Sequence, residues 1–354
     1  MMEMVKRIDT NKINFYGKVL DEQGQPVEGA EIILHLKRFS ALAPPWYEQI
    51  IDIYLKSDRE GRFSITNEQG RDILIANIDK KGYQHSFKHK TKDSYGFSPE
   101  MDAVFVPDPK NPVVFWMRKK GEVAFIFESN GGPNFSFKRD ESGTQKGVDI
   151  IHGLEIKEKD LPKPTFNGDP LFCDLKAKAI FDSRTKTWTM VLTPGGSDGG
   201  ILFSDRLLYE APAEGYLPSY TIQPEAFRKA FGLTESEERV EGGGKYGLLI
   251  PNPGIYLYLR SRTPGLYSRT HITHLVANKE EIYLSGGGTI LNPYGDRILE
   301  QATDLPGEVK GQLGNQVRET CRLNPNARPP KPDLQKLIQE AEKKKPLLQR
   351  LFKK

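Results

Sequence analysis

His152-Gly-Leu-Glu155, followed far downstream by His271, is the most tempting chemistry in the chain. A zinc hydrolase needs three protein ligands fixed around one open coordination position, and a His-x-x-Glu pair with a distant histidine supplies that set. The surroundings point elsewhere. Region 121–302 shows almost no helical periodicity, and "SRTHITHLV" around His271 carries no zinc-hydrolase signature. Ordinary strand residues account for all three positions, so neither a metal nor any other cofactor is expected.

Other histidines pair no better. His271 and His274 are three apart and face opposite sides of a strand. His85 and His89, four apart, could share a face but have no carboxylate or thiol nearby in sequence to complete a ligand set. "EGGGKYG" has Arg239 and Tyr246 where a phosphate loop needs glycine and a hydroxyl, so it reads as a plain loop. "PGGSDGG" contains the spacing G-x-S-x-G at 195–199 but reads as a glycine loop, and no serine has an identifiable histidine partner in the sequence.

"IYLYLRSR" (255–262) offers binding chemistry. On an extended strand Tyr256, Tyr258, Arg260 and Arg262 project to one face, while Ile255, Leu257 and Leu259 project to the core. A Tyr/Arg face could stack on and hydrogen-bond a sugar or an acidic polymer. The alternative is a solvated or sheet-covered face.

The elements that must hold these residues are strands. The 354 residues include 33 glycines and 25 prolines, which favours many turns, and the apolar runs are aromatic or β-branched. An all-β protein of two domains follows. The formal charge of +4 is uneven: residues 328–354 carry nine Lys/Arg against three Asp/Glu, leaving the rest near −2. No nucleic-acid partner is expected, because aromatics are not interleaved with those charges. Weak contact of the basic tail with an anionic membrane surface is an alternative to a solvated helix. Cys173 and Cys321 show no metal spacing, and composition leaves open whether they are bridged. The N-terminal stretch has no apolar segment of the kind a signal peptide needs.

The first hundred residues hold about seven short strands punctuated by turns, from "INFYGKVLD" to "PVVFWMR", the spacing of a β-sandwich. "GKVLDEQGQPVEGAEI", then "SDREGRFSI", then "KKGY" resembles the carboxypeptidase regulatory-like domain, a transthyretin-like sandwich. The resemblance rests on Gly17, Val19, Asp21, Gly24, Pro26, Val27, Gly29 and Ala30, on Asp58, Gly61 and Phe63, and on Gly82 with Tyr83. These are scaffold positions: the resemblance implies a fold and no activity. The large α/β catalytic domain of zinc carboxypeptidases has no counterpart in 121–302.

Residues 38–56 depart from that pattern. Tyr47, Ile50, Ile51 and Tyr54 after Pro44-Pro45 have the spacing of a short amphipathic helix, which either packs on its own sandwich or docks a partner with Trp46 as anchor. The expected divisions are a β-sandwich over 13–119, a β-rich domain over 120–302, and a linker with a basic helical tail over 303–354. In the second domain "PEAFRKAF" is a short helix, and in the tail "DLQKLIQEAEKKK" is helical with Asp333 as N-cap. "LLYEAPAEGYLPSYTI", "IYLYLRSRTPGLYSRTHI" and "NPYGDRILE" resemble a C-terminal region of bacterial envelope proteins that share the N-terminal domain. That resemblance implies an envelope or secreted location. The expected function is non-catalytic: structural, adhesive or ligand-binding, with carbohydrate or another envelope protein as partner. The alternative is a peptidase or glycan hydrolase with its site in the second domain.

Overall fold

The computed structural model describes residues 12–39, 48–86, 91–97, 104–129, 132–233, 248–249, 254–263, 265–302 and 305–344. The chain divides into two compact units, 1–120 and 121–354. It is all-β, and among the described residues the α-helices belong to the second unit.

The first unit contains β1 (Lys12–Asp21), β2 (Glu31–Phe39), β3 (Glu48–Lys56), β4 (Arg62–Gln69), β5 (Asp72–Asp79), β6 (Tyr83–His85), β7 (Ser94–Gly96) and β8 (Val113–Lys119). They form two four-stranded sheets, ordered β4-β1-β8-β6 and β3-β2-β5-β7. β1 and β8 run parallel; the other pairs are antiparallel. Alternation explains the packing: Phe15 and Val19 of one sheet and Ile32, Leu34 and Leu36 of the other all turn into a single core. Phe15 sits at its centre, 4.9 Å from the Tyr95 ring and 5.6 Å from Phe105.

The polar run Ser57–Gly61 is a turn. Asp58 Oδ1 accepts the backbone N–H of Arg62 at 2.7 Å and of Glu60 at 3.0 Å. Gly61 has φ +75°, and a β-carbon there would lie 2.3 Å from the Val19 carbonyl oxygen, so only glycine fits. Ser57 Oγ donates to Val27 O at 2.6 Å and accepts the Ala30 N–H at 2.8 Å, which closes the turn over the strand ends.

The amphipathic helix expected near 47–54 is instead β3. It pairs antiparallel with the whole of β2, from Glu31 opposite Lys56 to Phe39 opposite Glu48. Ile51, Ile53 and Leu55 pack on the core, while Ile50 and Tyr54 are exposed. The same residues satisfy both periods, and strand pairing decides between them. Trp46 and Tyr47 lie outside the described residues.

The second unit contains β9 (Phe127–Ser129), β10 (Asn134–Lys138), β11 (Gln145–Asp149), β12 (Leu154–Ile156), β13 (Thr165–Phe166), β14 (Asp169–Pro170) and β15 (Leu175–Asp182). It continues with β16 (Thr187–Pro194), β17 (Gly200–Ser204), β18 (Tyr220–Ile222), β19 (Leu248–Leu249), β20 (Ile255–Ser261), β21 (Leu266–Ala277) and β22 (Glu281–Asn292). A seven-stranded sheet has the path β10-β22-β21-β20-β17, with β9 and β19 beside it. A five-stranded sheet runs β12-β11-β15-β16-β18, and β13 and β14 make a separate hairpin. Leu175, Ala177, Met190 and Leu192 of the smaller sheet share a core with Ile255, Leu257 and Leu259 of the larger.

Among the described residues three helices complete this core: α1 (Pro224–Ala230), α2 (Gly307–Leu323) and α3 (Leu334–Lys344). Phe227 of α1 meets Phe203 edge-on at 5.2 Å. α2 buries Val309, Leu313, Val317 and Cys321, and belongs to the packed unit where a linker was expected. Leu334, Leu337, Ile338 and Ala341 of α3 are partly buried against the same core. Asp333 Oδ1 accepts the Lys336 N–H at 3.0 Å, the expected N-cap contact. Among the described residues no helix is long and apolar enough to cross a membrane.

Candidate functional site

Two carboxylates and one guanidinium meet at the join between the sheets of the second unit. β11 ends at Asp149, the residue before β15 is Asp174, and Arg262 follows the last residue of β20. Arg262 Nε reaches Asp174 Oδ1 at 2.7 Å and Nη2 reaches Oδ2 at 2.8 Å, a bidentate pair with neither side chain exposed. Nη2 also lies 3.5 Å from Asp149 Oδ1, Nη1 donates to the Pro325 carbonyl, and the guanidinium sits 4.9 Å over the Phe172 ring.

The remaining acceptor positions are filled. Asp174 accepts the Ile150 N–H at 2.9 Å and the Ser261 hydroxyl at 2.7 Å. Asp149 accepts the N–H of Phe172 at 2.9 Å and of His152 at 3.0 Å. Such completion is what makes a buried ion pair tolerable. Burial alone would push the Asp149 carboxyl up; the His152 contact and the Arg262 charge outweigh it and hold it below the usual carboxylate range. Burial disfavours the charged Arg262, but the Asp174 and Asp149 charges reverse the shift, so it stays protonated.

Arg262 does not continue the Tyr/Arg face. Its φ is +64°, which breaks the strand alternation and carries its side chain to Asp174, where the Ser261 hydroxyl also ends. Gly196 makes the approach possible: it has φ +85°, and a β-carbon there would lie 2.8 Å from the Arg262 nitrogen.

The other members of that face are covered. Tyr256 and Tyr258 are buried with Ala211 and Leu299, beneath Leu207, Leu208 and Tyr216. Tyr258 donates to Arg206 O at 2.8 Å and accepts the Leu208 N–H at 2.6 Å; burial pushes its phenol up to about 12. Arg260 donates to Asp198 O at 2.7 Å and lies 5.2 Å over Tyr216. The strand reading placed these residues correctly on one face, except Arg262, but the 205–217 segment occupies the space meant for a ligand.

His152 sits in the turn between β11 and β12. Its Nδ1 lies 3.0 Å from Asp149 Oδ1. Glu155 is exposed on β12, and His271 is on β21, 5.3 Å from the Tyr256 ring. His274 Nδ1 contacts Thr273 Oγ1 at 3.1 Å. Among the described residues no group of three or more His, Cys, Asp or Glu could hold a metal ion. His89 and the "EGGGKYG" loop lie outside the described residues. Cys173 and Cys321 are free thiols, and burial pushes Cys173 up to about 11.

An open groove of about 560 Å³ adjoins His152. Phe166, Asp169 and Leu171 line one part, and Asn315, Arg318 and Glu319 of α2 another. Phe166 is 51% exposed. It precedes Asn167 and Gly168, both with positive φ, the two-residue turn that joins β13 to β14. Arg322 contacts Asp169 at 3.2 Å and Glu319 at 2.5 Å, and so ties the hairpin to the helix. Sequence reasoning missed this groove because its walls come from a two-residue strand pair and an unanticipated helix.

No family model matches the chain, and no curated protein matches it either. Among solved structures it is similar to 3-chlorocatechol 1,2-dioxygenase from Rhodococcus opacus, with TM-score 0.21 and 15% identity over 31% of this chain and 60% of that one. A streptococcal ancillary pilin gives TM-score 0.21 and 14% identity over 60% of this chain and 59% of that one. The full-length major pilin of Corynebacterium diphtheriae gives TM-score 0.23 and 9% identity over 83% and 84%. The chain spans about three-fifths of the length of the first two. At such TM-scores nothing those proteins do carries over to this one.

Proposed function

We propose that this chain is a non-catalytic structural or adhesive protein of the bacterial cell envelope that binds carbohydrate in the groove beside His152. The carrying observation is the half-exposed Phe166 ring set among Asp169, Asn315, Arg318 and Glu319. An exposed aromatic face with planar hydrogen-bonding side chains around it suits a sugar ring, which is apolar on its faces and polar at its rim. The envelope location rests on the sequence resemblance, as does the reading of the first unit as a carboxypeptidase regulatory-like domain. Gly17, Asp21, Asp58 and Gly61 support the latter.

The test is retention on immobilised envelope polysaccharide. Phe166→Ala and Asn315→Ala should each weaken retention at least about tenfold, the equivalent of ~1.4 kcal/mol, with thermal unfolding unchanged. Equal retention of both variants and the parent protein would remove the groove from the reading. A hydrolase remains the second reading because His152, held by Asp149, borders the same groove. Release of reducing ends by the parent protein and its loss in His152→Ala would establish that reading instead.

A further inference from the structure

β3 is the terminal strand of the sheet β3-β2-β5-β7 and pairs only with β2 among the described residues. It is long for an edge, contains no proline, and carries Ile50 at 57% and Tyr54 at 71% exposure. Natural sheets blunt such edges, because unpaired backbone groups recruit another strand. An exposed edge of this kind needs an occupant, and the charges on its outer row say which one fits.

We infer that β3 pairs antiparallel with β3 of a second copy of this chain, about a two-fold axis passing through Tyr54. In that register Tyr54 faces Tyr54, and Asp52 faces Lys56 on both sides of the axis. On the inner row Ile53 faces Leu55 of the other copy. The complementary polar pairs extend beyond the two edge strands. Within one copy His35 stands opposite Asp52, 2.7 Å apart, and Glu31 opposite Lys56, 3.0 Å apart. Pairing therefore lays out a row His35, Asp52, Lys56, Glu31 across four strands, with basic and acidic groups alternating, once on each side of the tyrosines. Ile33 stands opposite Tyr54 within each copy, so the central row is apolar throughout. Shifting the register by two residues in each copy puts Asp52 against Asp52, and like charges directly opposite disfavour a pair. The closed two-fold arrangement consumes the edge in both copies and stops at a dimer.

Cysteine cross-linking of the full chain under mild oxidation tests both the partner and the register. Directly opposed residues of antiparallel strands lie about 4.5–5.5 Å apart at Cα, within the ~4.4–6.8 Å that a disulfide spans. Tyr54→Cys should give a reducible dimer, absent from the parent protein, which keeps its own Cys173 and Cys321. Asp52→Cys should not, because its counterpart lies about four residues away along the other strand. Lys56→Asp should weaken dimerisation at least about tenfold, and adding Asp52→Lys should restore it. A dimer from Asp52→Cys in place of Tyr54→Cys overturns the register. No cross-link from either, with a monomer by light scattering at every concentration, overturns the self-pairing and leaves β3 to a different protein.

Discussion

Asp174 grips Arg262 with both carboxylate oxygens, at 2.7 and 2.8 Å, in a place where neither side chain meets solvent. The pair joins the five-stranded sheet to the end of β20 in the larger sheet, and through Pro325 it holds the segment after α2 as well.

Removing one partner should therefore cost more than removing both. Arg262→Met strands Asp174 and Asp149 as buried carboxylates and should destabilise the second unit by about 3–5 kcal/mol. Adding Asp174→Asn relieves one of those charges; its amide oxygen can still accept the Ile150 N–H, and its NH2 can donate to the Ser261 hydroxyl. Urea unfolding of the two single variants and the double variant should show a double-variant loss well below the sum. Strict additivity would mean that the two side chains do not act as a pair.

Acid should loosen the same join. The Asp149 carboxyl is held below its ordinary value, so its folded form binds a proton less readily than its unfolded form. Its contribution is complete above the ordinary aspartate pKa of about 3.9 and is lost as pH falls through the lower folded value. The urea midpoint should drop as pH falls below about 4, and Asp149→Asn should be less stable at pH 7 with a flatter profile in that acid range. An unchanged slope in the variant would remove Asp149 from the acid response.

Tyr258 should behave as a core residue. Tyr258→Phe keeps the ring but leaves Arg206 O and the Leu208 N–H without the hydroxyl, at about 1–3 kcal/mol. Tyr258→Ser also opens a cavity and should cost about 3–5 kcal/mol. Thermal melts of the two variants check the order, and equal melting temperatures would show that the ring volume does not matter there.

The first unit has its own core and should fold alone. Residues 1–120 should unfold in one cooperative urea transition. Gly61→Ala should lower its stability by about 1–3 kcal/mol through positive φ alone, and further through the contact with Val19 O. In the full chain the same change should leave the second unit's transition in place. A fragment without a cooperative transition would mean that its core is incomplete.

Much of the first unit is legible because alternating apolar residues and turn chemistry act over a few residues. β3 is not, because "EQIIDIYLK" fits a helix through Ile50, Ile51 and Tyr54 and a strand through Ile51, Ile53 and Leu55. Pairing with the preceding strand β2, which the periodicity of one segment does not show, settles the matter. α2 is hard to read because Gly307, Gly311 and Gly314 dilute its helical character, although Val309, Leu313, Val317 and Cys321 recur every four residues. In the site the Tyr/Arg alternation of β20 predicted one shared face, and it holds for Tyr256, Tyr258 and Arg260. It fails at Arg262 because a positive φ in a non-glycine residue leaves no mark in the sequence. Nor does alternation reveal which segment lies on top, so the covering of both tyrosines by 205–217 was equally hidden.

The burial of α2 and the Arg262 contact with Pro325 give the chain a timetable. Everything the first unit's core requires has been synthesised by residue 120, whereas the second unit needs side chains and a carbonyl made some two hundred residues later. At roughly 5–20 residues per second the ribosome gives the first unit a head start of roughly 10–40 s. During that interval the strands of the second unit emerge one after another without the helix that closes over them. A nascent chain halted before α2 should therefore be cut by protease throughout 121–302 while 12–119 resists. The second unit is thus the one left incomplete while it waits.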